Sequence, residues 1–266
     1  MTVLTGQTAL VTGANSGIGR GIALALAKHG ANVVVTGLNA SPRSGGYEAD
    51  PEIDTDALIR ERGGQALFVR TDVTVPADIE GAVAAAVEAF GRLDVMVNNA
   101  GTFTGLATII DQTEADYDLT MAVNAKGTFM GCKYAIRQMM AQSPREDGQR
   151  GSIINIASVG SVSGLHLEPA YCASKGAVLA LTRQLATDFG PHHIRSNAIL
   201  PGVVQTAMSR APLSDEGTVG FLRQFNTFPR FGEARDIGEA AAFLASDAAG
   251  YVNGAVLAVD GGFTAL

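Results

Sequence analysis

TALVTGANSGIG, residues 8–19, decides the fold. A short run of apolar, β-branched residues leads straight into Gly13, Gly17 and Gly19, and the helix-period segment IGRGIALALAKHG follows. Glycines at this GxxxGxG spacing permit a tight turn with a close backbone approach, and the N-terminus of the following helix attracts anions. The stretch therefore predicts a strand–turn–helix unit that binds the pyrophosphate of a nucleotide cofactor.

The same alternation of short apolar runs and longer Ala- and Leu-rich segments continues along the whole chain. Most of the short runs are continuously apolar, which is typical of a parallel sheet covered on both faces. Without an internal repeat or a Pro- and Ser-rich linker, one α/β domain with a doubly wound parallel sheet is expected. Seven strands are predicted, at residues 8–13, 31–37, 65–72, 93–101, 151–158, 194–202 and 255–262.

Two polar stretches interrupt this alternation. LNASPRSGGYEADPEIDT, residues 38–55, is long and rich in turn-forming residues, and residues 203–232 combine Pro, Gly and charged residues with a few aromatics. Both follow predicted strands, and open α/β sheets bind ligands at the carboxyl ends of their strands. Long loops there are often lids or binding loops.

Composition and charge exclude several classes of function. The 266 residues carry a formal net charge of −7, which disfavours binding to nucleic acid or to an anionic membrane surface. Cys132 and Cys172 show no CxxC spacing, so neither a disulfide framework nor a zinc site is predicted, and no other metal site is expected. The N-terminal residues lack a signal-peptide pattern, and no apolar stretch is long enough to span a bilayer. We expect a cytoplasmic protein.

The segment AYCASKGA, residues 170–177, places Tyr171 and Lys175 four positions apart at the start of a helix-period run. Side chains four apart lie on the same face of a helix, so the ammonium can lie beside the phenol. A close cation lowers the pKa of a phenol and would make Tyr171 a proton donor or acceptor near neutral pH. The spacing alone is more typical of a surface tyrosine and a solvated lysine, so the rest of the chain must decide.

The end of the second predicted strand normally separates NAD from NADP binding. An acidic residue there binds the ribose hydroxyls of NAD, whereas an arginine accommodates the 2′-phosphate of NADP. Here the position reads Thr36-Gly37-Leu38-Asn39, with neither charge, and Arg43 in the following loop is the nearest cation.

Several motifs in this order resemble those of the short-chain dehydrogenase/reductase family, and the resemblance covers residues 5–263. They are TGANSGIG (12–19), NNAG (98–101), Asn124 in MAVNAKG, Ser158 thirteen residues before Tyr171, YCASK (171–175), PGVVQT (201–206) and VDGG (259–262). The resemblance implies a Rossmann-type, seven-stranded, doubly wound fold with helices on both faces. It also implies one NAD(P)-binding domain over residues 1–266, with a substrate-binding loop at about 203–232.

The resemblance assigns a role to each of four catalytic residues. Tyr171 would exchange the proton of the substrate oxygen, and Ser158 would hold and polarise that oxygen. Lys175 would lower the pKa of Tyr171 and bind the nicotinamide ribose. Asn124 would help to hold a water in a proton relay from Lys175 to solvent.

The cofactor residues follow from the same resemblance. Asp72 and the Val73 backbone would contact the adenine, while Val204 and Thr206 would hold the carboxamide. The complete expected set is Gly13, Asn15, Ser16, Gly17, Ile18, Gly19, Leu38, Asp72, Val73, Asn99, Ala100, Gly101, Tyr171, Lys175, Pro201, Gly202, Val204 and Thr206. Ser16 and Leu38 stand where NADP-preferring relatives often carry a base, so NAD is favoured over NADP.

The resemblance also bears on the substrate and on assembly. GSVSGLHLEP, residues 160–169, would form a wall of the substrate site, where His166 and Glu168 either contact a polar substrate or face solvent. The helix at 171–189 is apolar nearly all round and would pack against a partner subunit, so a homotetramer is expected. The expected reaction interconverts a secondary alcohol and a ketone. A 3-oxoacyl-thioester reductase using NADPH, and a catalytically silent nucleotide-sensing protein, are the alternatives.

Overall fold

A seven-stranded parallel sheet forms the centre of the protein. The computed structural model describes residues 3–265. All seven predicted strands are confirmed, with bounds a few residues narrower than the sequence indicates. They are β1 (Thr8–Val11), β2 (Asn32–Gly37), β3 (Ala66–Arg70), β4 (Val95–Asn98), β5 (Gly151–Ile156), β6 (Ile194–Pro201) and β7 (Val256–Val259), in the spatial order β3-β2-β1-β4-β5-β6-β7.

Helices connect these strands and cover both faces of the sheet. The α-helices are α1 (Gly17–Lys28), α2 (Thr55–Glu61), α3 (Pro76–Phe90), α4 (Glu114–Thr120), α5 (Gly127–Ala141), α6 (Pro169–Phe189), α7 (Arg210–Leu213), α8 (Glu216–Arg223) and α9 (Ala234–Ala245). A π-helical segment, Met121–Lys126, joins α4 to α5, and short 3₁₀ turns cover Val159–Ser161, Gly190–His192, Asp247–Ala249 and Phe263–Ala265. The predicted doubly wound α/β fold is therefore confirmed.

Burial on both faces explains the continuously apolar sequences of the five inner strands, whereas the edge strands β3 and β7 are only partly buried. One core cluster packs α1 and α9 against the sheet, and a second packs α3 and α5 against the opposite face. Helices α1 and α9 cross closely at Gly21 and Gly238, where a Cβ on Gly238 would lie 2.5 Å from the Gly21 carbonyl oxygen. Glycine is required at such a close approach because any side chain would collide with backbone.

The two polar stretches differ in structure. Residues 38–54 run without a helix or strand from the end of β2 to the start of α2. Residues 203–232, interpreted from the sequence as a loop, contain the short helices α7 and α8. Strand order reverses between β1 and β4, and the crevice beyond the carboxyl ends of strands at such a switch point is where ligands bind in this architecture. Among residues 3–265, no helix is both long and apolar enough to cross a membrane.

Candidate active site

Tyr171 and Lys175 lie in the first turns of α6, which begins at Pro169, a residue suited to the first helical position. The Lys175 side chain is 5 % exposed, and its Nζ donates a hydrogen bond to the Ile156 carbonyl at the end of β5 (2.9 Å). Nζ lies 5.8 Å from the centroid of the Tyr171 ring. The predicted shared helix face is thus observed, with the lysine buried against the sheet.

Ser158 faces Tyr171 from the turn that follows β5. Its hydroxyl accepts a hydrogen bond from the Gly160 amide (3.1 Å), which caps the 3₁₀ turn Val159–Ser161. The Ser158 hydroxyl also lies close enough to the Tyr171 phenol to act on its pKa, which it lowers. Ser158 therefore both caps the turn and lies close to the tyrosine. The structure thus brings Ser158, Tyr171 and Lys175 close together.

The prediction that Tyr171 has a lowered pKa is wrong for this structure. Burial of the phenol raises its pKa, and the nearby Glu168 carboxylate raises it further, although the Ser158 hydroxyl acts in the opposite direction. Burial also lowers the pKa of Lys175 to about 8. Sequence spacing predicts that the two side chains are close together, but it does not predict how far they are removed from water. Their burial disfavours both the phenolate of Tyr171 and the ammonium of Lys175.

Asn124 lies in the π-helical segment and is completely buried. Its amide donates to the Thr102 carbonyl and to the Ser174 hydroxyl (3.1 Å each), and its side-chain oxygen accepts from the Thr102 amide (2.8 Å). The side chain thereby ties the loop after β4 to α6 at the residue directly before Lys175. Its role in holding a relay water stays a prediction.

The glycine loop has the backbone geometry that an anion site requires. Gly13 and Gly17 adopt positive φ (62° and 55°), and a Cβ on Gly19 would lie 2.2 Å from the Gly13 carbonyl oxygen. The Gly17 amide donates to the carboxylate of Glu48 at 2.7 Å. Since this carboxylate is an anionic oxygen bound at the N-terminus of α1, the loop fits a cofactor pyrophosphate.

The loop after β4 packs directly on the glycine loop. The Asn99 side chain donates to the carbonyls of Thr12 and Gly13 (2.8 and 3.2 Å). The Thr12 hydroxyl accepts from the amides of Asn99 and Ala100 (2.9 and 3.0 Å). Gly101 follows beside the predicted catalytic residues, where a Cβ would lie 3.7 Å from Lys175 Nζ. The NNAG motif thus connects the glycine loop to the predicted catalytic residues.

The segment after β6 reaches the glycine loop from the other side. A Cβ on Gly17 would lie 3.3 Å from the Thr206 methyl group. Val204 is buried and forms a parallel bridge with Gly232, while Gly202 packs so closely on Asp260 that a Cβ would lie 2.6 Å from its carbonyl oxygen. Pro201, the last residue of β6, therefore leads into a segment held against the predicted pyrophosphate site.

The residues expected around the adenosine are at the ends of β2 and β3. Leu38 is 60 % exposed directly after β2. Asp72 accepts from the Thr74 amide and hydroxyl (2.9 and 2.7 Å), and these hydrogen bonds lower its pKa. Val73 is buried beneath Gly127 of α5. Asn15 donates to the Ser41 carbonyl at 2.9 Å and so binds the loop after β2.

Comparison with known proteins supports the family assignment. The sequence profile described as "Enoyl-(Acyl carrier protein) reductase", a short-chain dehydrogenase profile, matches residues 13–264. The chain belongs to the short-chain dehydrogenase/reductase family. As a member of this family, the chain is an NAD(P)-dependent oxidoreductase that acts on a CH–OH group.

Several relatives of this dehydrogenase are named for ring alcohols or a sugar acid. It is 39 % identical to the 2,5-dichloro-2,5-cyclohexadiene-1,4-diol dehydrogenase of Sphingobium indicum, over 100 % of both chains. It is also 39 % identical to the trans-4-hydroxycyclohexanecarboxylate dehydrogenase of Sinomonas cyclohexanicum, over 97 % of this chain and 93 % of the relative. A gluconate 5-dehydrogenase from Burkholderia cenocepacia, solved with NADP and tartrate, has a TM-score of 0.87 at 32 % identity over 99 % and 97 % of the chains.

The surroundings of Tyr171, where the substrate is predicted to bind, are partly apolar. Phe103 packs edge-on against Tyr171, with ring centroids 5.9 Å apart. Leu167 has a positive φ of 62°, rare for a residue with a side chain, and its carbonyl accepts from the Ala107 amide (2.9 Å). The next residue, Glu168, is half-buried and its pKa is raised by burial, whereas His166 is exposed. Of the two predicted substrate residues, only Glu168 is close enough to Tyr171 to raise its pKa.

Sequence reasoning missed three contributors to this site. Phe103 belongs to no motif, and Thr12 is recognisable in the sequence only as part of the glycine stretch. Glu48 lies in an unusually long loop, but no pattern in the sequence indicates that its carboxylate folds back to Gly17. Among residues 3–265, no cluster of three or more His, Cys, Asp or Glu side chains could hold a metal ion.

Proposed function

We propose that this dehydrogenase interconverts a ring-bearing secondary alcohol and the corresponding ketone, with Tyr171 as the proton donor and acceptor. One observation carries the proposal: the phenol of Tyr171 lies close to Ser158 and to the buried ammonium of Lys175, at the carboxyl end of β5. The same edge of the sheet carries the glycine loop.

Each catalytic side chain has a distinct task in this proposal. The nicotinamide cofactor supplies the hydride chemistry when it is bound. Ser158 holds the substrate oxygen through a hydrogen bond, and Tyr171 removes the proton from the alcohol or returns it to the ketone. Lys175 replenishes or accepts that proton and binds the nicotinamide ribose, for which a pKa of about 8 is suited because the lysine can then change protonation near neutral pH.

The proposed cofactor residues surround the crevice, and none of those expected near the adenosine ribose carries a charge that would strongly select NAD or NADP. Gly13, Gly17 and Gly19 would hold the pyrophosphate, and Thr206 lies beside Gly17. The exposed Leu38 would pack on the adenine side. With neither an acid nor a base at this position, we propose a modest preference for NAD over NADP.

Ring-bearing substrates are favoured by the wall around Tyr171. Phe103 offers an aromatic face next to the phenol, and apolar rings pack well against such faces. Glu168 would accept a hydrogen bond from a second hydroxyl, since its carboxylate is desolvated. Two relatives named above act on substituted six-membered rings.

Assembly and location remain part of the proposal. Phe129 of α5 is 49 % exposed, and it lines an apolar groove together with Met121, Ala177 and Leu181. We propose a homotetramer in which a partner subunit covers this groove, because exposed apolar surface of this kind marks interaction sites. The proposed location is the cytoplasm. Light scattering coupled to size-exclusion chromatography measures the oligomeric state.

A substrate panel tests the function. Cyclohexanol, cyclohexane-1,4-diol, glucose, gluconate and a 3-hydroxyacyl thioester are offered with NAD⁺ and with NADP⁺, and kcat/KM is measured. We expect the highest kcat/KM with a cyclohexanol or cyclohexanediol. A preference for the acyl thioester with NADP⁺ would instead support the reductase alternative, and binding without turnover would support a nucleotide-sensing protein.

A further inference from the structure

The loop after β2 places an acidic side chain at the predicted pyrophosphate site. Glu48 accepts a hydrogen bond from the Gly17 amide through Oε1 at 2.7 Å. Its other oxygen, Oε2, is buried and has no hydrogen-bond partner within residues 3–265. A buried carboxylate oxygen without a hydrogen bond is energetically unfavourable. The contact therefore gives the Gly17 amide a hydrogen-bond acceptor but leaves one oxygen of the glutamate without a donor.

The contact occupies the positive end of a long helix. Helix α1 has twelve residues, and the N-terminus of such a helix favours a negative charge. The side chain of Ser16, the residue before the helix, makes no capping hydrogen bond in the described structure. The Glu48 carboxylate therefore acts as the anion at this terminus, where the glycine loop would otherwise receive a phosphate.

Hydrogen bonds that do not involve Glu48 anchor the base of the loop, although the Glu48 carboxylate also interacts electrostatically with Arg20. Arg20, which is 3 % exposed, donates to the carbonyls of Asp50 and Ile53 (2.8 and 2.7 Å). The Thr55 hydroxyl donates to the Asn15 carbonyl at 3.2 Å. Because these contacts do not involve Glu48, its side chain can leave Gly17 while the end of the loop stays in place.

A second element holds the segment that carries Glu48. Arg210 of α7 donates to the carbonyls of Gly45 and Gly46, and its guanidinium lies 4.3 Å from the centroid of the Tyr47 ring. Residues 45–48 therefore connect α7, within the proposed substrate-binding region, to the N-terminus of α1.

We propose that Glu48 is an intramolecular competitor of the cofactor pyrophosphate. The carboxylate and a phosphate oxygen cannot share the Gly17 amide, and their like charges repel, so binding of the cofactor displaces Glu48. Arg210 opposes that displacement because it holds residues 45–47. The inference rests on the proposed role of the glycine loop in cofactor binding.

Calorimetric titration separates charge competition from other effects. NAD⁺, NADP⁺, ADP and adenosine are titrated into the wild type, Glu48→Gln and Glu48→Ala, with Glu52→Gln as a matched control in the exposed part of the same loop. We expect ADP and NAD⁺ to bind about 3- to 30-fold more tightly to both Glu48 variants, as expected for removal of a charge at a helix N-terminus. Adenosine, which lacks phosphate, and the control should change less than about twofold.

Substitution of Arg210 provides a second, independent test in which Glu48 is unchanged. Arg210→Gln should tighten ADP binding by a smaller factor, and the double variant Arg210→Gln with Glu48→Gln should gain no more than Glu48→Gln alone. Unchanged or weaker ADP binding in the Glu48 variants, an equal gain for adenosine, or additive gains in the double variant would overturn the inference. If no wild-type or variant protein binds NAD⁺, NADP⁺ or ADP, the proposed function fails as well.

Discussion

The ammonium of Lys175 donates its hydrogen bond to the main-chain carbonyl of Ile156, 2.9 Å away, at the end of β5. This contact buries the cation beside the sheet, and burial lowers its pKa to about 8, from 10.5 in an exposed lysine. A cation with a pKa in this range can lose and regain its proton during turnover, but its charge weakens the folded state.

Replacing this lysine should therefore stabilise the protein at neutral pH. Below about pH 8 the folded state must carry a buried charge, and this penalty fades as the pH rises from about 8 toward 10.5, so the wild type gains stability in that window. We expect Lys175→Met to raise the free energy of unfolding by about 1–3 kcal/mol near pH 7 and by much less near pH 10. Urea denaturation at both pH values measures this. Lys133→Met, at an exposed position, is the control, and a variant destabilised equally at both pH values would contradict the explanation.

Removal of the Tyr171 hydroxyl should stop the chemistry and spare cofactor binding. Tyr171→Phe keeps the edge-on contact with Phe103 but removes the group that exchanges the proton. We expect kcat to fall about 10²- to 10⁴-fold, with less than a twofold change in the Kd of the cofactor. Steady-state kinetics and calorimetry check both values against Tyr117→Phe, a change at an exposed tyrosine. Substantial residual turnover would remove Tyr171 from its assigned role.

The Glu168 carboxylate should set the pH dependence of alcohol oxidation. Its negative charge raises the pKa of Tyr171, and oxidation requires the deprotonated phenol. Glu168→Gln should therefore shift the rising limb of the kcat/KM profile to lower pH, because the phenolate is no longer repelled. The measurement is a pH–rate profile for the variant, the wild type and Glu114→Gln. A shift to higher pH would show that Glu168 affects the reaction by another route.

A single charge at the end of β2 should change cofactor choice. Leu38 is exposed, so Leu38→Arg adds a guanidinium without disturbing the core, and a charge-assisted contact with the 2′-phosphate is worth about 10- to 150-fold in affinity. Leu38→Gln adds length without charge and is the control. Gly37→Asp is a poorer test because a Cβ there would lie 3.0 Å from Asn15 Oδ1. The ratio of kcat/KM for NADP⁺ and NAD⁺ should rise only in the arginine variant, and an equal rise with glutamine would contradict a charge effect.

Sequence patterns predicted the sheet because each strand is apolar on both faces, and they predicted the shared helix face of Tyr171 and Lys175 because helical spacing fixes it. The pKa of Tyr171 could not be predicted in this way, since it depends on burial and on Glu168. The contact between Glu48 and Gly17 joins residues 31 positions apart through an irregular loop. Loop paths of this kind follow from Arg20 and Arg210, which donate mainly to backbone carbonyls that no side-chain pattern specifies.

The central claim is that Tyr171 and the cofactor together remove a proton and a hydride from one carbinol group. The direct measurement uses a ring alcohol deuterated at the carbinol carbon, with mass spectrometry of the cofactor after incubation with the wild type and with Tyr171→Phe. Our account predicts one deuterium in the reduced cofactor formed by the wild type, formation of the ketone in equal amount, and loss of both in Tyr171→Phe. Equal deuterium transfer by the variant, or a ketone formed without deuterium in the cofactor, would contradict it.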